Sequence, residues 1–277
     1  MVRPTFAHID LDAVRVNYRA VVSYVGSGPG RPQVIAVVKA NGYGHGAVPV
    51  ARALEAAGAE MLACADIEEG VELRRGGVRA PILVFGALSV SDLDGVFTHG
   101  LTPTISSPFA ARALRDAATS RGTRVDCHLK IDTGMNRLGF RYDNLTETLP
   151  QVLDGSGLEI DAVYTHFATA EDPAHPLFDI QRARFDEAVG CLAELGVRPR
   201  LRHAANSAAL LRERGTWYEA VRPGLLLYGV APSGATDALP LTPVMTLRSR
   251  VVAVKGMRVG ETAGYGARSP VTRPTTV

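Results

Sequence analysis

The sequence predicts an α/β protein whose main body is a closed (β/α)8 barrel, followed by an incomplete all-β C-terminal domain. Three observations predict it: eight short apolar runs of strand character, amphipathic stretches of helical spacing between them, and a change after about residue 235 to strand-like patterning without helices. The strand-like runs fall at 34–39, 61–65, 82–85, 103–105, 125–131, 160–166, 201–203 and 217–222. Their apolar residues are nearly continuous, as expected for parallel strands buried on both faces.

The intervening helices follow from apolar spacing. Residues 47–57 place Val50, Ala53, Leu54 and Ala57 on one stripe, and 179–195 does the same with Phe185, Ala188, Val189 and Leu192. A third helix is expected at 108–118. Gly58, Gly76, Gly122 and Gly196 follow helical runs and are expected to be left-handed caps. The alternative, an open doubly wound sheet, lacks its strand-turn-helix glycine fingerprint, because the glycines at 26–30 precede a strand and read as a turn. The barrel is expected over 11–235. Residues 246–254 alternate before an apolar run and, with 1–10, are assigned to a partial β domain covering 1–10 and 236–277, in which 6–11 could pair.

Composition excludes several classes of function. Thirty basic against twenty-eight acidic residues give a net charge of +2 with no basic run, which argues against nucleic acid as a partner. The apolar runs are far too short for a membrane span, and the N-terminus has no apolar stretch of signal-peptide length. Cys64, Cys127 and Cys191 are odd in number and widely spaced, and read as reduced thiols of a cytoplasmic protein. The seven histidines have no paired metal spacing, so no metal is expected. Glu68, Glu69, Asp92 and Asp94 read as solvated surface.

Barrel active sites form at the C-terminal strand ends. There the sequence places Lys39 after the first strand, Arg137 after the fifth, His166 after the sixth, Asn206 and Ser207 after the seventh, and Arg222 with Gly224 after the eighth. A lysine behind four apolar residues either snorkels or is used, and a buried amine has the lowered pKa that suits a covalent bond to an aldehyde cofactor. Ser207 opens a helical run and Gly224 leaves its backbone open, as a phosphate site requires; the plain reading of the pair is a helix cap and a turn.

Six segments then make the pattern specific. VKANGYGHG at 38–46, DTGMNRLGF at 132–140, THFA at 165–168, HAANS at 203–207, VRPGLLLY at 221–228 and AGYGA at 263–267 resemble, in order, the motifs of the alanine racemases. The resemblance implies pyridoxal 5'-phosphate carried by Lys39 and interconversion of L- and D-alanine, supplying D-alanine for the cell wall. Lys39 would exchange the α-proton on one face, and Tyr265, contributed to the partner's site in a homodimer with shared active sites, on the other. Arg222 would meet the cofactor ring nitrogen, backed by His166. Tyr43, Asn206, Ser207, Gly224 and Leu225 would hold the cofactor, and Arg137 the cofactor hydroxyl and substrate carboxylate. Lys130 matches a lysine that is carbamylated in some members and positions that arginine. Family members continue past residue 277, so this sequence is expected to be C-terminally truncated, retaining the barrel and Lys39 but little racemisation. Two other readings are a racemase of broader amino-acid specificity and a non-catalytic pyridoxal-phosphate-binding barrel; Tyr265 and the β segment before it argue against the second.

Overall fold

A computed structural model of the chain describes residues 5–88, 93–153, 157–232 and 238–277. It divides into two compact units, Asp10–Val244 and Met1–Ile9 with Met245–Val277. The boundary expected near residue 235, like Asp92, lies outside the described residues.

The larger unit is a closed barrel of eight parallel strands: β1 (Gln33–Val37), β2 (Met61–Cys64), β3 (Ile82–Val84), β4 (Thr102–Ile105), β5 (Val125–Asp132), β6 (Leu158–Tyr164), β7 (Leu201–His203) and β8 (Ala220–Val221). Each pairs with the next, as Ile35 with Met61 and Thr104 with His128, and β8 returns to β1 through Ala220 and Gln33. All eight expected strands are present. The last is shorter than expected because a 3-10 turn at Arg214–Thr216 precedes it and Tyr218 takes φ +49°. Ile35, Val37, Met61, Ala63, Leu83 and Ala220 pack into one core cluster, so the barrel interior is filled rather than open.

Local chemistry sets the helix starts. Asp10 caps Leu11–Val25, accepting from the amides of Asp12 and Ala13, and so ends the strand that was expected to run to Leu11. Ser107 caps Pro108–Ser120, with Pro108 in the first turn. Helix Leu177–Glu194 buries Phe178, Gln181, Phe185, Ala188 and Leu192, leaving Val189 half-buried at the margin. Gly58, Gly122 and Gly196 have positive φ as expected, but Gly76 does not: its φ is −72° and the left-handed residue is Gly77. Gly76 is needed for space, since a Cβ there would lie 2.4 Å from Val48 Cγ1.

In the smaller unit, Phe6–Ile9 pairs antiparallel with Met245–Arg248, Gly256–Met257 with Thr275–Thr276, and Thr262 bridges Pro270. The strand expected over 246–254 stops at Arg248, and Val251, Val252 and Val254 are exposed. Backbone without a neighbouring strand to bond does not hold extended pairing, and among the described residues none flanks that stretch. No described helix is long and apolar enough to cross a membrane.

Candidate active site

The chain leaves β1 at Val37 and turns sharply at Lys39–Tyr43. Ala40, Asn41 and Gly42 have φ/ψ near +53/+54°, +54/+47° and +60/+43°, and Tyr43 has φ +53°. Left-handed backbone costs roughly 1–2 kcal/mol per residue when a Cβ is present. Side-chain acceptors offset that cost. Asn41 Oδ1 accepts from Ala47 N at 2.8 Å, and Glu69 Oε1 accepts from Ala40 N at 2.6 Å and Asn41 N at 3.3 Å. Glu69 Oε2 accepts from Ala65 N at 2.7 Å, beyond the end of β2. The expectation that Glu69 is solvated is therefore corrected: its carboxylate ties the Lys39 turn to the neighbouring strand end. Burial lowers the Lys39 amine, helped by the Arg137 and Arg222 charges and opposed by Glu69.

Arg222, 4% exposed, extends from the end of β8 into the barrel mouth. Nη1 donates to His203 Nδ1 at 2.8 Å, and Nη2 to the carbonyls of Thr165 at 2.8 Å and Ala204 at 3.0 Å, with His166 Nδ1 at 3.3 Å. The histidine expected behind Arg222, His166, is thus the longer contact. His203, whose side chain points inward from β7, is the shorter one. Burial lowers Arg222 to about 10, which still leaves it a cation at neutral pH. His166 is held well below the ordinary imidazole range by burial and by the cations Arg222, Lys130, Arg137 and Lys39. Below Arg222 the Tyr164 ring stacks on His203 at 4.7 Å.

Beside Arg222, after the neighbouring strand β7, Asn206 caps the helix Ser207–Arg212 through Ala209 N at 3.0 Å. Ser207 is therefore the first helical residue rather than the cap. Its Oγ accepts from Gly224 N at 3.0 Å and Leu226 N at 3.5 Å, joining the loops after β7 and β8. A Cβ on Gly224 would lie 2.3 Å from the Tyr43 hydroxyl, so any larger residue there would have to push the Tyr43 side chain aside. The Tyr43 ring also packs on Tyr228 at 4.9 Å.

Arg137 stands on the loop after β5. Asp132 Oδ1 accepts from Gly134 N at 3.0 Å and Asn136 N at 3.1 Å and fixes that loop. Lys130, 4% exposed, lies on β5 itself. Burial, then Arg137 and Arg222, lower its amine to about 8.

One cavity of about 380 Å³ gathers these groups. Lys39, Tyr43, Lys130, Arg137 and His166 line it from the first, fifth and sixth strand ends, and Asn206, Ser207, Arg222, Gly224 and Leu225 from the seventh and eighth. The charges are unbalanced: four cations face it, and Glu171 is the lining carboxylate. Such a cavity favours a ligand carrying more than one negative group. Tyr265 belongs to the smaller unit. It is fully exposed at a turn flanked by Gly264 and Gly266, both of positive φ, inside the Thr262–Pro270 bridge.

Sequence reasoning missed Glu69, His203 and Gln181. Gln181 is fully buried; its Nε2 donates to Thr133 Oγ1 at 3.1 Å and His166 O at 3.0 Å, tying the β5 and β6 loops together. The spacing of Asp66 and Glu69 did carry a signal, that of a helix capping box. Asp66 Oδ1 accepts from Glu69 N at 2.8 Å as the box requires, but the glutamate side chain reaches out to other loops.

Comparison with known proteins agrees with this geometry. The family profile described as alanine racemase, N-terminal domain, matches residues 9–232. The alanine racemase of Symbiobacterium thermophilum is 41% identical over 265 residues, 95% of this chain and 69% of the relative. That of Desulforamulus reducens is 41% identical over 281 residues, 100% of this chain and 75% of the relative. Among solved structures, the alanine racemase of a D-cycloserine-producing Streptomyces lavendulae has a TM-score of 0.90 at 34% identity, covering 100% of this chain and 73% of that one. The Bacillus anthracis alanine racemase with bound L-Ala-P has a TM-score of 0.85 at 34% identity, covering 100% of this chain and 72% of that one. On this evidence the chain belongs to the alanine racemase family.

Proposed function

We propose that the chain interconverts L- and D-alanine using pyridoxal 5'-phosphate bound covalently to Lys39. The observation that carries this reading is the convergence of a lysine, its pKa lowered by burial and by neighbouring arginines, with three further cations on one cavity at the C-terminal end of the barrel. The residues fit the cofactor. The cradle at Gly224, which a Cβ would fill, suits close approach of backbone to a phosphate, and the cationic lining suits both a phosphate and a substrate carboxylate. Tyr43, Asn206, Ser207, Gly224 and Leu225 would hold it. When bound, pyridoxal phosphate delocalises the electron pair left as the alanine Cα–H bond breaks.

The protein's own groups set the proton traffic. Once the substrate amine has displaced Lys39 from the cofactor, the lowered pKa of Lys39 raises the fraction of neutral amine near pH 7, the form that would remove a proton from Cα. Racemisation needs a second group on the opposite face, because the proton leaves one side and arrives on the other; Tyr265 of a second copy in a homodimer would supply it. Arg222 donates hydrogen bonds and remains charged, so it orients the cofactor ring without yielding a proton. Arg137 would bind the substrate carboxylate, with Lys130 behind it. In domain terms, the barrel binds the cofactor and the β unit carries the second base.

The test combines a Lys39→Ala variant with single-enantiomer racemase assays on a panel of amino acids. Borohydride reduction with pyridoxal phosphate should label Lys39 and nothing after its replacement, and turnover should be greatest on alanine. A surviving label would remove Lys39 from the cofactor, and equal turnover on larger amino acids would remove alanine as the preferred substrate.

A further inference from the structure

We infer that Glu69 is the residue that positions Lys39: its carboxylate caps the left-handed turn that aims the lysine into the cavity. The inference rests on the reading of Lys39 as the cofactor lysine and adds a positioning residue to it. A left-handed turn presents its first amides away from any intrahelical acceptor, so they need one from elsewhere. Glu69 Oε1 takes two of them, Ala40 N at 2.6 Å and Asn41 N at 3.3 Å, the two residues that follow Lys39. Oε2 takes Ala65 N at 2.7 Å, at the end of the strand beside β1. One carboxylate thus ties the turn that follows Lys39 to the end of the neighbouring strand. An ionised acceptor makes these bonds stronger than neutral ones, and its place in the first turn of helix Ile67–Arg75 favours the negative charge.

The same charge acts on the amine. Lys39 faces Arg137 and Arg222, which disfavour its protonation, with Lys130 and His166 in the same cavity. Glu69 is the group that opposes them. Removing it should therefore loosen the turn and lower the Lys39 pKa together, whereas a merely structural contact would change only the first.

The experiment uses the full chain freed of bound cofactor. It follows amide hydrogen exchange at Ala40, Asn41 and Ala65, and the pH dependence of Lys39 acylation by trace labelling and peptide mass spectrometry. In Glu69→Gln, exchange at these amides should rise by about tenfold or more as charge-assisted bonds are lost, and the Lys39 midpoint should move to lower pH. Glu69→Asp keeps the charge but falls one methylene short, so exchange should rise while the midpoint holds. If Glu69→Gln fails to fold, Glu69→Asp decides alone by the same pair of readouts. Unchanged exchange in the folded variant tested, or a Glu69→Gln midpoint that stays or rises, would overturn the inference. Both readouts concern free Lys39, so they are separate from its labelling by pyridoxal phosphate, whose failure would instead sink the cofactor assignment.

Discussion

Arg222 Nη1 donates to His203 Nδ1 at 2.8 Å, and this one bond dictates where two buried protons sit. An arginine only donates, so His203 Nδ1 is an acceptor and its proton lies on Nε2. That nitrogen is 3.0 Å from His128 Nδ1, which accepts in turn and leaves the His128 proton on Nε2. Burial holds His128 at about 4 and His203 well below the usual imidazole range, so both rings stay neutral at pH 7. The chain of bonds converts the fixed polarity of Arg222 into a fixed tautomer deep in the barrel.

Nitrogen NMR should find both rings as neutral Nε2–H tautomers from about pH 5 to 8, given the direction of their shifts. His203→Gln offers its amide oxygen to Arg222 but breaks the defined relay to His128. It should retain the fold and lower the melting temperature. A midpoint near 6.5 for either ring, or a proton found on Nδ1, would contradict the relay.

Lys130 gives the protein a pH-dependent weakness. Its amine titrates at about 8 in the fold against 10.5 as its ordinary value. Below about pH 8 both states are protonated and the native state bears the full penalty, roughly 3 kcal/mol. Between about 8 and 10.5 the unfolded chain holds a proton that the native chain has shed, so stability rises with pH. In bicarbonate-free buffer, where the amine itself titrates, urea midpoints should increase from pH 7 to 10. Lys130→Met should flatten that rise and be the more stable protein at pH 7. A midpoint that falls over this range in the parent chain would show that the lysine is not penalised.

The strands were legible in the sequence because parallel barrel strands are buried on both faces, and runs such as Val34–Val38 or Ile82–Val84 therefore carry little else but apolar residues. The cavity lining was legible for a related reason: a polar residue directly after such a run sits at the barrel mouth, as Lys39, His166 and Arg222 do. What stayed hidden depends on direction rather than type. Glu69 looks like any first-turn helix glutamate until its side chain is seen to cross to another loop, and His203 is one more histidine until the β7 register turns it inward. Gly76 and Gly77 are alike in sequence; only the closeness of Val48 separates the one that needs space from the one that needs positive φ.

Arg222→Lys tests how much the planar fork matters. The guanidinium reaches His203 and His166 and two main-chain carbonyls from two nitrogens, whereas an ammonium donates from a single point. At least one buried acceptor should be left without its partner, at a cost of roughly 1–3 kcal/mol. If Arg222 orients the cofactor ring, racemisation should also fall by about a hundredfold, the scale expected of a displacement of about 1 Å at a reacting centre. Thermal melts and initial rates in both directions measure the two effects. Parent-like rates would detach Arg222 from the chemistry while leaving its structural role intact.

Gly139 shows how the Arg137 loop is held. It lies two residues past Arg137, immediately before Phe140–Arg141, the short strand that pairs with Ile131 and Asp132 of β5. Its φ is +123°, and a Cβ there would lie 2.7 Å from Asp132 N and 3.0 Å from both Ile131 C and Lys130 O. Every one of those atoms is main chain of a barrel strand, so nothing flexible can give way. Gly139→Ala must therefore displace the loop, and with it Arg137. Gly100→Ala is the control: φ there is +57°, and nothing lies within 4 Å of the added Cβ. The control should cost about 1 kcal/mol for the backbone conformation alone. Gly139→Ala should cost clearly more, since strained backbone adds about 1–3 kcal/mol before any clash is counted. Its KM for alanine should also rise, if Arg137 binds the substrate carboxylate, while Gly100→Ala leaves KM alone. Paired urea titrations and steady-state assays separate the two variants. Equal destabilisation with an unchanged KM in both would mean that the close approach at Gly139 does not set the position of Arg137.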